Sequence, residues 1–429
     1  MASLRRPFSN LNKEAWQNLA AAAMLFIYLA HIALDLAWGN LFGNLGVDFA
    51  AFWSAGHIAN LLGYEAAYDL DLLSRVQAQL LPPRAAFLAQ TRIIPTPYLP
   101  VFLLPFQALA LLPARLAAGL WMGLNLMGTL TYVRCFALRI GAGGSARRLR
   151  MLLMVSVPVF LNIFLGQANL WLLICMGEFV LAHRAGRDFR SGAWLAGLLL
   201  KPQCLLLILP AILLQRRREV AAGISVAGAT IIFVSWLLAG TAGLAALARL
   251  WIGYAGGLPT NDIQLMMNWR MIGFYLQVLV GSGWAQGIVF VGMAVTSILA
   301  IVLWLPRFDA FDPRSDIAIL GVMAATTLVA WHSHVHMAVI LIPPLLALAV
   351  VPQLPVGRVV GVWIWLPAVL SVLRIFLAAL TRLGALPDTT YGALDLLAGL
   401  GLFVADLVLL LWSLGRIAPW TRGPARVAV

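Results

Sequence analysis

Residues 19–42 have the sequence LAAAAMLFIYLAHIALDLAWGNLF, an almost unbroken apolar run near the start of the chain. A helix needs about 20 such residues to cross a bilayer. The apolar part of a cleavable secretory signal has only about 7–15 residues, and it is followed by a small-residue cleavage site that is not evident here. We therefore expect a membrane-spanning helix over residues 19–41 rather than a signal that is removed.

The composition of the whole chain is also typical of a membrane protein. Of the 429 residues, 62% are hydrophobic and 10% are charged, and the mean hydropathy is +0.92. Soluble domains carry about 25% charged residues, so this chain lacks the polar side chains needed to cover a water-facing surface. Lipid must be the solvent for most of its surface.

Eleven further apolar runs predict a polytopic helical bundle of about 12 transmembrane helices. The predicted spans are 19–41, 114–135, 151–166, 168–183, 191–201, 203–215, 219–240, 285–305, 316–332, 336–351, 358–380 and 394–415. Several are shorter than the ~20 residues of a full crossing. The short ones occur in pairs around polar breaks at Gly166–Asn169, Lys201–Gln203 and His332–His336. The predicted fold class is all-α membrane, with residues 1–429 as one integral membrane domain.

The distribution of basic residues predicts the orientation. The chain has 29 Lys and Arg against 16 Asp and Glu, a net charge of +13. Such an excess can indicate nucleic-acid binding, but most of these cations lie in short loops on the side of both termini. Cytoplasmic loops are enriched in Lys and Arg in this way. We therefore predict a multi-pass protein of the cytoplasmic (inner) membrane with cytoplasmic termini, membrane lipid around it and no nucleic-acid partner.

Two long loops fall on the outer, periplasmic side under this topology. Residues 43–97 form the first, with a short interfacial helix that carries aromatic residues on its apolar face and a polar helix near residues 71–88. Residues 241–269 form the second. Two further apolar stretches, 98–113 and 270–283, begin with polar, Pro or Arg residues and are interpreted as re-entrant or interfacial.

Polar side chains from five separate segments gather at the outer face. They are Asp48 past the first span, Gln167 and Asn169 at one hairpin tip, Lys201 and Gln203 at a second, Asn268 and Arg270 at the end of the second outer loop, and His332, His334 and His336 at a third tip. Ionisable groups at membrane depth are costly, so they indicate functional sites. Each also has a structural explanation, such as helix capping by Asp48 or snorkelling of Lys201 to the interface.

The sequence predicts neither a metal nor a cofactor. On a helix, His332 and His336 share a face whereas His334 points nearly opposite, and two histidines without carboxylates make a weak site. We identify no Asp-x-Asp, Walker or Gly-rich dinucleotide motif, which argues against an enzyme that uses a nucleotide sugar or ATP. Cys135, Cys175 and Cys204 fall in apolar runs and are interpreted as packing residues.

Short motifs in a characteristic order along residues 45–345 carry a family resemblance. They are Asp48-Phe49 with Phe52-Trp53 and Ala55-Gly56, Gly63, Tyr68-Asp69, Pro97-Tyr98-Leu99-Pro100, Leu104-Pro105-Phe106, Leu112-Pro113, Leu120-Trp121, Gly166-Gln167-Ala168-Asn169-Leu170, Ala196-Gly197-Leu198, Lys201-Pro202-Gln203 and Asn268-Trp269-Arg270. Together they resemble glycosyltransferase family 87, the polyprenol-phosphate-mannose-dependent mannosyltransferases of the GT-C superfamily. The resemblance implies a GT-C-like helical bundle, a luminal or periplasmic active site and no required metal.

A transferase of this kind needs cations for the departing phosphate and a base for the acceptor hydroxyl. We predict that Lys201, Arg270, His332, His334 and His336 bind the donor phosphate and that Asp48 is the general base. The remaining candidates are predicted to bind substrate: Phe52, Trp53, Tyr98, Gln167, Asn169, Gln203 and Asn268. The partners are then a polyprenyl-phosphate sugar donor and a lipid or glycan acceptor, and attack opposite the phosphate inverts the anomeric carbon. The resemblance supplies mannose as the sugar.

Two other functions stay open at this point. A lipid or solute transporter would also contain broken helices and polar groups within the membrane, but it needs polar access from both faces, and this chain gathers its polar residues on one. A glycan ligase with a lipid-diphosphate donor would have the same one-sided arrangement, so only a donor assay separates it from the first prediction.

Overall fold

The protein is described by a computed structural model that covers residues 13–81, 93–142, 144–255, 263–306, 308–309, 312–351, 354–382, 384–387 and 390–417. Within these ranges the chain forms α-helices and short 3-10 segments, and no β-strand is present. The predicted all-α class is therefore confirmed for the described residues. The part of the predicted polar helix that falls in residues 82–88 lies outside them.

Eighteen α-helices are described in chain order. They are α1 Lys13–Ala37, α2 Val47–Leu62, α3 Tyr64–Ala67, α4 Leu70–Leu80, α5 Pro100–Leu109, α6 Ala114–Arg139, α7 Gly144–Met154, α8 Val157–Phe164, α9 Leu170–Arg184, α10 Asp188–Ala196, α11 Ile208–Leu214, α12 Arg218–Ala255, α13 Trp269–Val280, α14 Ser282–Trp304, α15 Pro313–Val329, α16 Ile342–Ala349, α17 Gly357–Arg382 and α18 Thr390–Ile417. Short 3-10 segments cover Gly197–Leu200, Pro202–Leu205, Ile263–Leu265 and Val335–Leu341.

Six of the described helices are long and apolar enough to cross a membrane. They comprise Ala15–Ala37, Ala114–Arg139, Arg218–Gly253, Ser282–Trp304, Gly357–Ala378 and Gly399–Ile417. These helices indicate a membrane protein, but the predicted count of about 12 spans is not confirmed. The other six predicted spans correspond to helices of at most 17 residues, because polar breaks divide the apolar sequence there.

The helix breaks lie where the sequence predicts them. The chain leaves the α-helical conformation at three breaks. The first break lies between α8 and α9, the second lies at Lys201 between two 3-10 segments, and the third lies between α15 and Val335. Most residues around these breaks are buried in the protein. Irregular backbone at membrane depth is tolerated where protein or a water-filled cavity surrounds it, so the breaks fit the interior of a bundle.

The first predicted outer loop is more deeply packed than an interfacial helix would be. Phe49, Phe52 and Ile58 of α2 are at most 3% exposed, and α2 packs closely against α5. An apolar helix face with aromatic residues suits a lipid interface and a protein core equally well, and here it faces the core. Helix α4 begins at an N-cap where the Asp69 side chain accepts a hydrogen bond from the Leu72 N–H.

The second predicted outer loop is partly helical. Helix α12 passes through a kink at Gly240, whose φ of 64° is in the region that favours glycine, and continues to Ala255. The predicted span 219–240 ends at this kink. Residues 241–255 therefore belong to a helix rather than a loop, and Trp251 Nε1 in this part donates to the Pro97 carbonyl at 2.8 Å.

A buried carboxylate ties three C-terminal helices together. Asp406 of α18 is fully buried and accepts hydrogen bonds from Thr327 Oγ1 of α15 at 2.6 Å and from Trp363 Nε1 of α17 at 3.0 Å. Burying a carboxylate is costly unless it is hydrogen-bonded, so these two donors explain how α18 can carry it in an apolar sequence.

Close packing of α2 on α5 gives a testable prediction for stability. A Cβ at Gly56 would lie 2.5 Å from the Phe106 carbonyl oxygen, whereas a Cβ at Gly119 in α6 would meet no atom within 4 Å. Gly56→Ala should therefore destabilise the protein by about 1–3 kcal/mol. Gly119→Ala, the matched control, should leave stability unchanged or raise it because alanine favours a helix.

Thermal unfolding of both variants in detergent measures the difference. Equal unfolding temperatures for Gly56→Ala and Gly119→Ala would contradict the packing of α2 against α5.

Candidate functional site

A tight turn after α8 carries Gln167 to the start of α2. Gly166 has a φ of 72°, and a Cβ there would lie 2.6 Å from the Phe49 Cβ, so glycine is required both for the conformation and for the close approach. The Leu165 carbonyl accepts the backbone N–H groups of Asp48 at 3.0 Å and of Phe49 at 3.1 Å. These bonds fix the first turn of α2 against the turn at Gly166.

Four predicted site residues form one hydrogen-bonded chain. Gln167 Nε2 donates to Asp48 Oδ2 at 2.6 Å, and Lys201 Nζ donates to Gln167 Oε1 at 3.2 Å. Lys201 Nζ also lies 3.4 Å from His336 Nε2. Asp48 is half-buried, whereas the other three side chains are at most 6% exposed. A carboxylate and an ammonium thus lie on the two sides of one amide.

Three buried asparagines form hydrogen bonds that hold the turn at Gly166 and Gln167 in place. Asn125 Nδ2 of α6 donates to the Gln167 carbonyl, and Asn162 Nδ2 of α8 donates to Asn125 Oδ1 at 3.3 Å. The Asn169 N–H donates to Asn162 Oδ1 at 3.3 Å, and Asn169 Nδ2 donates to the His336 carbonyl at 3.0 Å. Asn169 is fully buried, so its side chain joins the first break to the third.

The third break is held by two further segments. Asn268 Nδ2 donates to the Ala330 carbonyl at 2.7 Å and to the Trp331 carbonyl at 3.2 Å, while its Oδ1 caps α13 by accepting the Met271 N–H at 3.1 Å. Gln203 Nε2 donates to the His332 carbonyl at 3.1 Å. Both amides are therefore engaged with backbone, and their predicted role in substrate binding stays a prediction.

Arg270 and the histidines line the same region. The Arg270 Cζ lies 4.5 Å from the centroid of the Trp331 ring. At this distance the guanidinium and the ring form a cation–π interaction. His334 stacks on His336 with ring centroids 5.6 Å apart, and both belong to the 332–336 stretch. The structure thus brings together all five segments that the sequence assigned to one face, with Lys201 and His336 at the centre.

The predicted aromatic residues lie on the α2 side. The Phe52 ring is 3% exposed and stacks on Phe106 at 4.6 Å between centroids. Tyr98 lies 5.4 Å from Phe52, and Trp53 Nε1 donates to the Leu112 carbonyl at 3.1 Å. Trp53 and Tyr98 are partly exposed, so they have more access to a ligand than Phe52, which packs in the core.

Three residues of the site were missed by the sequence analysis. Asn125 and Asn162 lie inside apolar runs, where a buried amide is unusual, and this was a signal that could have identified them. Trp331 directly precedes the histidine stretch, but nothing in its sequence context distinguishes it from an interfacial tryptophan.

The expectation that the chain has no Asp-x-Asp motif is wrong, because Asp69 and Asp71 have that spacing. The structure places Asp69 as the N-cap of α4 and Asp71 in the first turn of that helix, where negative charge is favourable. Among the residues that the structure describes, no group of three His, Cys, Asp or Glu side chains lies close enough to hold a metal ion. The prediction that no metal or cofactor is used stays a prediction.

The arrangement supplies two complementary chemical groups in one place. A carboxylate that accepts a hydrogen bond can take a proton from a bound hydroxyl. The buried Lys201 ammonium can stabilise charge that develops on an anionic leaving group, and a cation acts more strongly where water is excluded. The site can therefore support a displacement in which a hydroxyl attacks and an anion departs.

Comparison with known protein families gives one match. The model of glycosyltransferase family 87 matches residues 96–331, which is more than half of the chain. No curated protein and no solved structure matches. The matched part contains Gln167, Lys201 and Arg270, whereas Asp48 and His336 lie outside it and reach the site through their contacts with Gln167 and Lys201. This membrane protein belongs to glycosyltransferase family 87.

Proposed function

We propose that the protein transfers a sugar from a polyprenyl-phosphate donor to a hydroxyl of a lipid or glycan acceptor. We further propose that this sugar is mannose. The observation that carries this proposal is the chain Asp48–Gln167–Lys201–His336. It places a candidate base and a candidate phosphate-binding cation on two sides of one side chain. An inverting transfer needs these two functions on opposite sides of the anomeric carbon.

The reaction follows from this arrangement in one displacement. The acceptor oxygen attacks the anomeric carbon of the donor, and the bond from that carbon to the phosphate oxygen breaks. Asp48 takes the proton of the acceptor hydroxyl, and the electron pair of the broken bond leaves with the polyprenyl phosphate. Lys201 stabilises the negative charge of the leaving phosphate. Configuration at the anomeric carbon is inverted.

The phosphate side of the site has further candidate groups. Arg270 is held over Trp331, and a guanidinium in that position can present its planar edge to a phosphate. His334 and His336 stack on each other beside Lys201. These groups support a role in binding the donor phosphate, and the partly exposed Tyr98 and Trp53 support a sugar-binding role on the α2 side.

We place the site on the periplasmic face of the cytoplasmic membrane, with both termini in the cytoplasm. The support is the distribution of Lys and Arg residues, most of which lie in loops on the side opposite the candidate site. A lipid-phosphate donor suits that face because its sugar is already attached to a membrane carrier.

Family membership favours an enzyme over the alternative of a transporter. A glycan ligase with a lipid-diphosphate donor has one observation in its favour. Arg270 supplies a second cation besides Lys201, which would suit two phosphates. Competition between monophosphate and diphosphate donor lipids distinguishes the transferase from the ligase.

Asp48→Asn should abolish most turnover. Asparagine keeps the shape of the side chain but cannot accept the proton, and general-base contributions are typically about 10²–10⁴-fold. Turnover measured at saturating donor should fall by about 10²-fold or more, while donor binding is retained. Asp71→Asn, which changes an exposed aspartate of α4, is the matched control and should be fully active. Near-normal turnover of Asp48→Asn would remove the proposed role.

Neutralising Lys201 or Arg270 should weaken donor binding. Charge-assisted hydrogen bonds contribute about 1.5–3 kcal/mol, so Lys201→Met and Arg270→Gln should each raise the KM for the donor by about 10–100-fold. The KM for the acceptor should change much less. Arg249→Gln, at an exposed arginine of α12, is the control. Unchanged donor titrations in both site variants would leave these cations with a structural role only.

A further inference from the structure

Gln167 has protein partners for each of its polar groups. Its backbone N–H donates to the Asn162 carbonyl at 2.9 Å, and its carbonyl accepts from Asn125 Nδ2. Its side chain donates to Asp48 and accepts from Lys201. The residue is 5% exposed. A glutamine held in this way is rigid, and its role follows from the two groups that it joins.

The two neighbours also fix which way the amide points. Nε2 carries N–H donors and faces a carboxylate, while Oε1 is an acceptor and faces an ammonium. Turning the amide over would place oxygen against the carboxylate and N–H groups against the ammonium, and both contacts would be repulsive. The observed orientation favours Asp48 as the charged carboxylate and Lys201 as the charged ammonium.

We propose that Gln167 is a positioning residue that keeps the general base and the phosphate-binding cation apart. This inference rests on the proposed function, in which Asp48 accepts the proton and Lys201 binds the donor phosphate. Gln167 then acts through these two residues and need not touch the substrate.

Direct pairing of the two charges would harm both functions. At short range in a buried site, opposite charges attract strongly, and the four-carbon stem of a lysine is flexible. A paired Asp48 would be a weaker base, because a neighbouring cation stabilises its charged form. A paired Lys201 would be directed away from the leaving phosphate. The amide prevents this by satisfying each charge with a neutral partner.

The inference is tested by a double-mutant cycle with Gln167→Leu and Lys201→Met. Leucine has nearly the volume of glutamine but cannot bridge the two groups. In the wild-type background Gln167→Leu should lower kcat by about 10–100-fold, on the scale of a group that controls a catalytic base. In the Lys201→Met background the same change should lower kcat by less than about 3-fold, because no ammonium is left to pair with Asp48. Equal losses in both backgrounds, or no loss, would overturn the inference.

A second measurement applies if the double variant is too slow to assay. The acid limb of the pH–rate profile should move to lower pH in Gln167→Leu, because the Lys201 ammonium stabilises the charged form of Asp48 more strongly than the neutral amide donor that it replaces. A role in folding alone would reduce the amount of active enzyme without moving this limb. An unmoved limb would therefore also overturn the inference. Gln277→Leu, at an exposed glutamine of α13, is the matched control and should behave as wild type.

The Asp48→Asn variant separates this inference from the proposed function. If Asp48→Asn is inactive while Gln167→Leu fails both measurements, the base stands and the positioning role of Gln167 is wrong. If Asp48→Asn keeps normal turnover, the proposed role of Asp48 as the base fails, and the positioning role of Gln167 fails with it.

Discussion

Backbone carbonyls freed at the three helix breaks must be hydrogen-bonded inside the protein, because lipid offers no partners. Side-chain amides from other segments meet this requirement at the first and third breaks. Asn125 bonds the Gln167 carbonyl, Asn169 bonds that of His336, Gln203 bonds that of His332 and Asn268 bonds that of Ala330. The first and third breaks are therefore stable only when another segment is in place, and Gln203 of the second break donates to the third.

The candidate active site is a consequence of this constraint. Segments that satisfy one another's backbone necessarily lie side by side, and their remaining polar side chains meet in one place. Asp48 reaches Gln167 because the first turn of α2 is bonded to the Leu165 carbonyl. Lys201 reaches the same amide from the second break, and His336 reaches Lys201 from the third. Groups held by a bonded framework are preorganised, which is what electrostatic stabilisation of a transition state requires.

Much of this architecture could be predicted from the sequence, because the physical signals are local. Apolar runs identify the long helices, and the polar breaks at Gly166–Asn169, Lys201–Gln203 and His332–His336 are visible as interruptions. The predicted count of about 12 spans is not confirmed, because a short apolar run on each side of a break resembles a crossing in sequence. The burial of α2 was missed because the same apolar face suits lipid and protein.

The pairing within the site could not be predicted in the same way. The bond between Asp48 and Gln167 joins residues 119 positions apart, and Lys201 and His336 are 135 apart. The periodicity of apolar residues does not indicate contacts between residues so far apart in sequence. The sequence grouped these residues by the membrane face that topology assigned to them, but only the structure shows that Gln167 lies between the carboxylate and the ammonium. It also shows that Asn125 and Asn162 support them from within the apolar helices.

A purified system in which the sugar donor is varied tests whether the sugar comes from a lipid-phosphate donor. The protein, reconstituted with total membrane lipid, is given radiolabelled polyprenyl-phosphate mannose in one reaction and a radiolabelled nucleotide mannose in another. We expect a new labelled lipid or glycan only with the polyprenyl-phosphate donor, and we expect this product to be lost in Asp48→Asn. Labelled product from the nucleotide sugar alone would show that the enzyme does not need a lipid-phosphate donor.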